Sequence, residues 1–310
     1  ALKMCEAGFQ CGKSSVQNAL KAMNTRLRKP KYRPALTQSN KNKRKIWAQK
    51  VVDMADGRGG PEAVKLVYNR DNSHTVFIDY KWFYVRNQRK VRYFPGEPAL
   101  PPECYDKSFE RKGYGEKVMY MCAVTNPCPE FPDGKIGMYP CVKRVQTQRD
   151  SNIRAAGIWH NVDVPVTGKF HAALLKDKLF PVLEEKWAEG DIFIQTDNAR
   201  PQVGKAAKDA HTGRFKMVRQ PPNSPDLQVL DEGLFHRLQV AVDKARPGHD
   251  KKAFWARKDL EKAVDDAWEA TTGEHVAQAL AHLIDVNRAI LSVDGGNCYK
   301  RASKFAVEKY

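Results

Sequence analysis

Hydrophobic residues follow two different periods along this chain. Short runs of β-branched and aromatic residues predict strands, whereas apolar residues three or four positions apart predict helices. The predicted strands cover residues 74–79, 81–85, 90–94, 117–124, 137–145, 191–196 and 215–219. The predicted helices begin near Ser14 and Thr37 and cover residues 169–187, 228–245, 255–270 and 274–291. Strands come first, then alternate with helices, and helices follow, which predicts an α/β fold with a mixed sheet and helices on its faces.

Composition narrows the class of protein. The chain has 310 residues, of which 42% are hydrophobic and 29% charged, which is typical of one or two folded domains. No apolar run approaches the ~18 residues that span a bilayer, so an integral membrane protein is excluded. No signal-peptide pattern opens the sequence, and none of the seven cysteines forms a CxxC or zinc-finger pair. These features predict reduced thiols in the cytosol or nucleus.

Positive charge is concentrated in the first sixty residues. Lys and Arg number 53 against 36 Asp and Glu, and residues 1–60 hold 14 basic but only 3 acidic residues. A basic stretch with two prolines lies between two predicted helices there, like the end of a helix-turn-helix unit and its linker. Such a segment attracts nucleic acid, although a basic surface kept for solubility is the alternative. The candidate DNA contacts are Lys29, Lys31, Arg33, Lys43, Arg44 and Lys45.

Three aspartates share a local context. Asp79 follows a buried apolar run, Asp197 follows another, and Asp231 lies at the start of a predicted helix. Carboxylates gathered from distant positions repel one another unless a cation neutralises them, and Mg²⁺ and Mn²⁺ prefer such oxygen ligands. Two such ions can activate water and stabilise the leaving oxygen of a phosphodiester. The alternative for each aspartate is a turn or a helix cap.

Five motifs around these aspartates resemble, in the same order, those of mariner-like transposases, especially the plant-type branch. The resemblance extends from about residue 36 to residue 300. The motifs are residues 78–84 (IDYKWFY), 133–140 (DGKIGMYP), 193–201 (FIQTDNARP), 220–231 (QPPNSPDLQVLD) and 295–300 (GGNCYK).

The resemblance implies an RNase H-like, retroviral-integrase-like core in which Asp79, Asp197 and Asp231 form the catalytic, metal-binding triad with two Mg²⁺ or Mn²⁺ ions. Asp226 competes for the third position, but it lies in a Ser-Pro-Asp-Leu turn where the family uses an aspartate structurally. Lys81 and Trp82 are candidate DNA contacts beside the first aspartate.

The implied activity is cut-and-paste transposition in the nucleus, by a homodimer on DNA. The enzyme would hydrolyse phosphodiesters at the transposon's terminal inverted repeats and transfer the strands into target DNA. Residues 1–60 would then be a remnant of a helix-turn-helix DNA-binding domain with its linker, residues 61–250 the catalytic domain and residues 251–310 a helical extension.

Two positions depart from the family pattern. Tyr80 stands where Glu usually follows the first aspartate, and Gln202 stands where His usually ends the second motif. Neither change removes a triad carboxylate. The two departures favour an alternative interpretation, in which the chain is a transposase-derived protein that binds DNA but does not catalyse its cleavage. An RNase H-like nuclease of a different pathway is a third interpretation, which shares the fold but not the ordered motifs.

Overall fold

The computed structural model describes residues 18, 34–57, 74–85, 117–150, 155–246 and 256–299. The chain divides into two compact units, residues 1–35 and 36–310, and every element below belongs to the second. The predicted helix after Ser14, apart from residue 18, and the predicted strand over 90–94 lie outside the described residues.

Among the described residues, seven strands form one five-stranded sheet and one separate hairpin. The strands are β1 (His74–Tyr84), β2 (Lys117–Thr125), β3 (Lys135–Pro140), β4 (Val142–Gln146), β5 (Trp159–Asp163), β6 (Ile192–Thr196) and β7 (Phe215–Arg219). The order in the large sheet is β3-β2-β1-β6-β7, and β4 pairs with β5. Strands β1, β2 and β3 are antiparallel neighbours, whereas β6 runs parallel to β1, and β7 parallel to β6. The sheet is therefore mixed, as predicted.

Helices cover both faces of this sheet. They are α1 (Gln38–Ala55), α2 (Gly168–Leu174), α3 (Phe180–Lys186), α4 (Arg200–Val203), α5 (Lys205–Ala210), α6 (Phe235–Ala245), α7 (Arg257–Glu269) and α8 (Gly273–Ser292). A π-helical turn, Leu175–Leu179, joins α2 to α3, and a second one, Leu230–Leu234, leads into α6. Within the described residues, no helix is long and apolar enough to cross a membrane.

Alternation along β1 divides the core into two layers. Phe77 and Phe83 point to the face covered by α6, α7 and α8. Val76 and Ile78 point to the opposite face, which α2 and α3 cover. Because successive side chains of a strand alternate between faces, Asp79 belongs to the face of α6–α8 and Tyr80 to the face of α2 and α3.

Prolines explain two differences from the predicted elements. The strand predicted over 137–145 is two strands in different sheets, because Pro140 has no N–H for a strand ladder and the chain leaves the large sheet there. The helix predicted over 169–187 contains the π-helical turn just before Pro181, which cannot donate the helical hydrogen bond. Conversely, 74–79 and 81–85, predicted as separate strands, form the single strand β1.

Helix α1 is fixed to the body by a buried ion pair. Arg44 is fully buried, and its two terminal nitrogens donate to the two carboxylate oxygens of Asp226 at 2.7 Å each. The Tyr299 hydroxyl donates to the same carboxylate at 2.6 Å, and Arg44 Nε donates to the carbonyl of Gly295 at 2.9 Å. Burial raises the pKa of Asp226, but Arg44 and Tyr299 outweigh it and hold that pKa below its usual range.

This arrangement corrects the prediction for Arg44. The Arg44 side chain has no exposure and cannot contact DNA in this structure. It points from helix α1 into the protein interior. The 295–300 motif has a structural role at the same place. Gly295 has a φ of +80°, and a Cβ there would clash with the carbonyl oxygen of Lys41, so only glycine fits against α1.

The buried ion pair generates a stability prediction. Arg44→Ala leaves the Asp226 carboxylate buried without its charge partner, so we expect a loss of about 3–5 kcal/mol in the free energy of unfolding. Lys45→Ala is the matched control, because the Lys45–Asp294 pair next to it is exposed on both sides and we expect a change below about 1 kcal/mol. Urea unfolding followed by circular dichroism measures both. Equal, small losses would show that the buried pair does not stabilise the fold.

Candidate active site

The first aspartate lies inside a strand and away from water. Asp79 is 8% exposed, and one of its carboxylate oxygens accepts the backbone N–H of Tyr80 at 2.7 Å. Its neighbour across the antiparallel ladder is Cys122, which is fully buried. Asp79 thus presents a carboxylate to the α6–α8 side of the sheet from a rigid, central strand.

The second aspartate lies beside the first through the parallel pairing of β1 and β6. The register ends with Phe77 opposite Gln195, and Asp79 and Asp197 each follow two residues later along their own segments. The charge of Asp197 adds to the rise that burial causes in the pKa of Asp79. Asp197 follows the last residue of β6, where one of its carboxylate oxygens accepts the N–H of Ala199 at 2.9 Å. Asp197 is therefore at the carboxyl end of a parallel strand, where ligands of α/β proteins are bound.

The third aspartate is brought to the sheet by two glutamine side chains. Gln228 Nε2 donates to the carbonyl of Ile78, the residue before Asp79, at 3.0 Å. Gln195 Nε2 donates to the carbonyl of Leu227 at 3.1 Å. These buried hydrogen bonds fix the segment that leads into the π-helical turn, and Asp231 is the second residue of that turn.

The electrostatics show that the three carboxylates act on one another. Burial raises the pKa of Asp79 well above its usual range, and the negative charges of Asp231 and then Asp197 add to the effect. Asp231 is an exposed residue, yet the protein around its carboxylate removes part of its water and raises its pKa to about 6. The Lys81 charge opposes that rise, and Glu232 and Asp197 increase it.

Lys81 is a cation inside this carboxylate site. It lies two residues after Asp79 on the same face of β1, with Nζ 5.5 Å from the ring centres of Phe83 and Phe235. Partial burial lowers its pKa, whereas the charge of Asp231 is the largest effect that raises it. The predicted contact of Lys81 with DNA remains a prediction, but its position is within the site rather than on an outer surface.

The donor set fits a hard divalent cation by its chemistry. Three carboxylates from separate segments offer the oxygen ligands that Mg²⁺ and Mn²⁺ prefer, and their mutual repulsion is the kind of cost that a cation removes. Within the described part of the chain, however, no three His, Cys, Asp or Glu side chains form a ready-made cluster for a metal ion. Asp79, Asp197 and Asp231 are the residues that would hold such a cation.

Tyr80, one of the two departures from the family pattern, lies on the opposite face of the sheet. Its hydroxyl and Nδ1 of the fully buried His171 are 2.6 Å apart. Burial, and then His211, lower the pKa of His171 to about 4, so it is neutral at pH 7. Gln202, the other departure, is 3% exposed in α4. Because the Tyr80 side chain points away from Asp79, it does not replace a triad carboxylate.

The remaining predicted DNA contacts differ in exposure. Lys43 and Lys45 are exposed on α1. Trp82 is half-buried, with Nζ of Lys117 4.2 Å from its ring centre. Lys29, Lys31 and Arg33 lie outside the described residues.

Two buried glutamines that hold the site together were not among the predicted site residues. Gln195 and Gln228 are almost fully buried, and the only signal of their role is that they are polar residues within otherwise apolar segments, since buried polar groups need partners. Asn223 has a φ of +54° and forms part of a tight turn. Asn198 donates to the carbonyl of Gln220, which ties the ends of β6 and β7 together.

A mixed sheet with this strand order, flanked by helices and carrying one carboxylate within β1 and another directly after β6, defines an RNase H-like fold. Among solved structures, the chain is similar to the Mos1 mariner paired-end complex with Mg, with a TM-score of 0.59 and 18% identity over 93% of this chain and 72% of that chain. It is also similar to the Mos1 strand transfer complex (TM-score 0.58, 17% identity, 93% and 71%). The catalytic domain of Mos1 mariner transposase matches over 86% of this chain and 99% of its own length (TM-score 0.54, 14% identity).

The predicted fold class and the predicted resemblance to mariner-like transposases are thereby confirmed in three dimensions. At these identities the likeness concerns the fold. No protein-family model and no curated protein matches the chain.

Carboxylate repulsion generates a prediction for the metal-free protein. The pKa of Asp231 is above its usual value in the folded state, so the folded chain binds a proton more tightly there, and stability falls as the pH rises from about 4 to about 6. We therefore expect Asp231→Asn and Asp79→Asn to raise the melting temperature at pH 7.5 in EDTA. For Asp231→Asn, the gain should be smaller at pH 4.

The control is Asp285→Asn, an exposed residue of α8, which should change little at either pH. Melting temperatures from scanning fluorimetry measure the effect. A lower melting temperature for both active-site variants at pH 7.5 would contradict the repulsion.

Proposed function

We propose that this chain is a mariner-type DNA transposase that hydrolyses phosphodiesters at transposon ends and transfers the freed strands into target DNA. The observation that carries the proposal is the convergence of Asp79, Asp197 and Asp231 on one end of an RNase H-like sheet, with their charges acting on one another. The similar Mos1 structures are described as paired-end and strand transfer complexes, which supports DNA as the substrate and a dimer on DNA.

Each residue has a distinct task in this proposal. Asp79, Asp197 and Asp231 would hold Mg²⁺ or Mn²⁺, and Mos1 was solved with both metals. Bound there, two ions would supply an activated water or 3′-hydroxyl and neutralise charge on the phosphate. Lys81 would hold a phosphate oxygen near the carboxylates, and the Gln195 and Gln228 hydrogen bonds would keep the third carboxylate in place.

A DNA-binding protein without catalysis is the second candidate. It is favoured by Tyr80 and Gln202 at the two positions that depart from the family pattern. Both functions require DNA binding, and nuclear localisation is proposed for either. Only the first requires strand cleavage.

A cleavage assay separates the two. On a labelled duplex carrying the element's end, with Mg²⁺, we expect the wild-type chain to cut. Asp79→Asn, Asp197→Asn and Asp231→Asn should each reduce cutting by about 10²–10³-fold, because removing one electrostatic contact to the reacting group costs about that much. DNA binding should be retained or slightly tightened, because the substitution removes a negative charge near the phosphates.

Asp226→Asn is the control within the same segment. It keeps the shape of the side chain and weakens only the Arg44 anchor, so it should lower stability but leave cutting by the folded fraction nearly intact. Full cleavage by the Asp197 variant would contradict the triad. A wild-type chain that binds the end but never cuts it would favour the second function.

The basic amino-terminal unit generates a prediction about salt. Residues 1–35 hold eight Lys and Arg and one Glu, and they are the first of the two compact units. Deleting them leaves α1 and its Arg44 anchor in place. If these residues bind phosphates, the deletion should make the salt dependence of DNA affinity shallower, by about 0.9 in log–log slope for each phosphate that is no longer bound. Binding titrations at several salt concentrations measure the slope, and an unchanged slope would assign phosphate binding to the body.

A further inference from the structure

The hairpin formed by β4 and β5 is an exposed ribbon outside the main sheet. Its register pairs Arg144 with Asn161 and Gln146 with Trp159. Opposite residues of a ladder share a face, so these four side chains form one face of the ribbon, and all four are exposed. A two-stranded hairpin is only marginally stable by itself. The stability of this exposed hairpin therefore has to be explained by its contacts with the rest of the fold.

The fold anchors this hairpin at its base, and its own backbone hydrogen bonds continue past the paired strands. At its base, Arg257 of α7 pairs with Asp163 at 2.6 Å, and the N–H of Val164 donates to the carbonyl of Cys141 at 3.0 Å. Beyond the paired strands, the backbone N–H of Thr147 donates to the carbonyl of Ile158 at 2.9 Å. The ribbon is therefore held in a defined shape, which lowers the entropy that binding would cost.

Large apolar groups are exposed on this ribbon. Ile158 and Trp159 are adjacent and are 52% and 54% exposed. The Arg144 guanidinium lies 5.6 Å from the centre of the Trp159 ring, so the indole is presented beside a positive charge. An exposed aromatic–aliphatic pair of this kind marks a contact surface.

The charge of the ribbon identifies the partner as an anion. Lys143, Arg144 and Arg149 are exposed cations. Among the acidic residues of the ribbon, Asp163 forms an ion pair with Arg257, and the Asp150 carboxylate accepts the backbone N–H of Ala156 at 2.7 Å. The surface thus presents positive charge, an indole and side-chain amides together.

We propose that the β4–β5 ribbon is a second DNA-binding surface, which contacts duplex DNA outside the carboxylate site. The major groove admits a two-stranded ribbon, and Arg, Asn and Gln are the side chains that pair with base edges there. Trp159 and Ile158 suit stacking on a base or wedging at a base step. The inference rests on the proposed action on DNA and adds a surface to it.

Binding of a labelled duplex by the full chain tests this surface. We expect Arg144→Ala/Trp159→Ala to weaken affinity about tenfold, as removal of one aromatic group that stacks on a base does, and to reduce the salt slope by about 1. Arg144→Lys/Trp159→Phe, which keeps a charge and a ring, should retain most of the affinity. Both mutated side chains are exposed, so melting temperatures should stay unchanged.

The matched control is Val240→Ala/Lys244→Ala, which removes an exposed apolar side chain and an exposed cation from α6. It should bind as the wild type does. Wild-type affinity and slope in the ribbon variant would overturn the inference, as would a changed oligomeric state with unchanged DNA affinity, which would identify a second copy as the partner.

Failure of the inference and failure of the proposed function are distinguishable. If the wild type cuts DNA and the ribbon variant binds normally, only the ribbon assignment fails. If the ribbon variant binds more weakly but the wild type never cuts, the proposed catalysis fails and the DNA-binding surface stands. A wild-type chain that does not bind DNA would overturn both.

Discussion

Mutual repulsion between carboxylates is the constraint around which the site of this protein is organised. Burial in a central strand raises the pKa of Asp79 most, and the charges of Asp231 and then Asp197 add to that rise. Such an arrangement is unfavourable for a metal-free chain, and Lys81 offsets only part of it. The fold tolerates it because the parallel β1–β6 pairing and two buried glutamines hold the three segments in place. Because its carboxylates repel one another, such a site is well suited to bind cations.

Two neighbouring aspartates have opposite physical roles in the same segment. Asp226 is neutralised by a bidentate arginine from α1 and by Tyr299, whereas Asp231, five residues later, faces other carboxylates. The ion pair joins α1, the turn before Asp231 and the 295–299 segment, which are distant in sequence. The anchor therefore serves the stability of the fold, whereas the position of Asp231 rests on the buried Gln195 and Gln228 hydrogen bonds.

The strands β2, β6 and β7 could be predicted from the sequence because they are short runs rich in apolar residues, whereas the order of the five motifs rests on the resemblance to mariner-like transposases. The Tyr80 side chain can be placed on the far face only once the alternation of β1 is known. The prediction for Arg44 is wrong because a cation in a basic helix usually faces water, and its partner lies 182 residues away. The strand Trp159–Asp163 lacks a hydrophobic run and is defined by pairing with β4 alone, which local patterns do not reveal.

The central claim is that Asp79, Asp197 and Asp231 bind the same cations. Fe²⁺ substituted for Mg²⁺, with ascorbate and peroxide, generates radicals that cut the backbone close to the bound ion, and mass spectrometry locates the cuts. We predict cuts in three places, around residues 79, 197 and 231. Excess Mg²⁺ should suppress all of them, and they should be absent in Asp79→Asn. Cuts at only one of these places, or an unchanged pattern in the variant, would contradict a shared metal site.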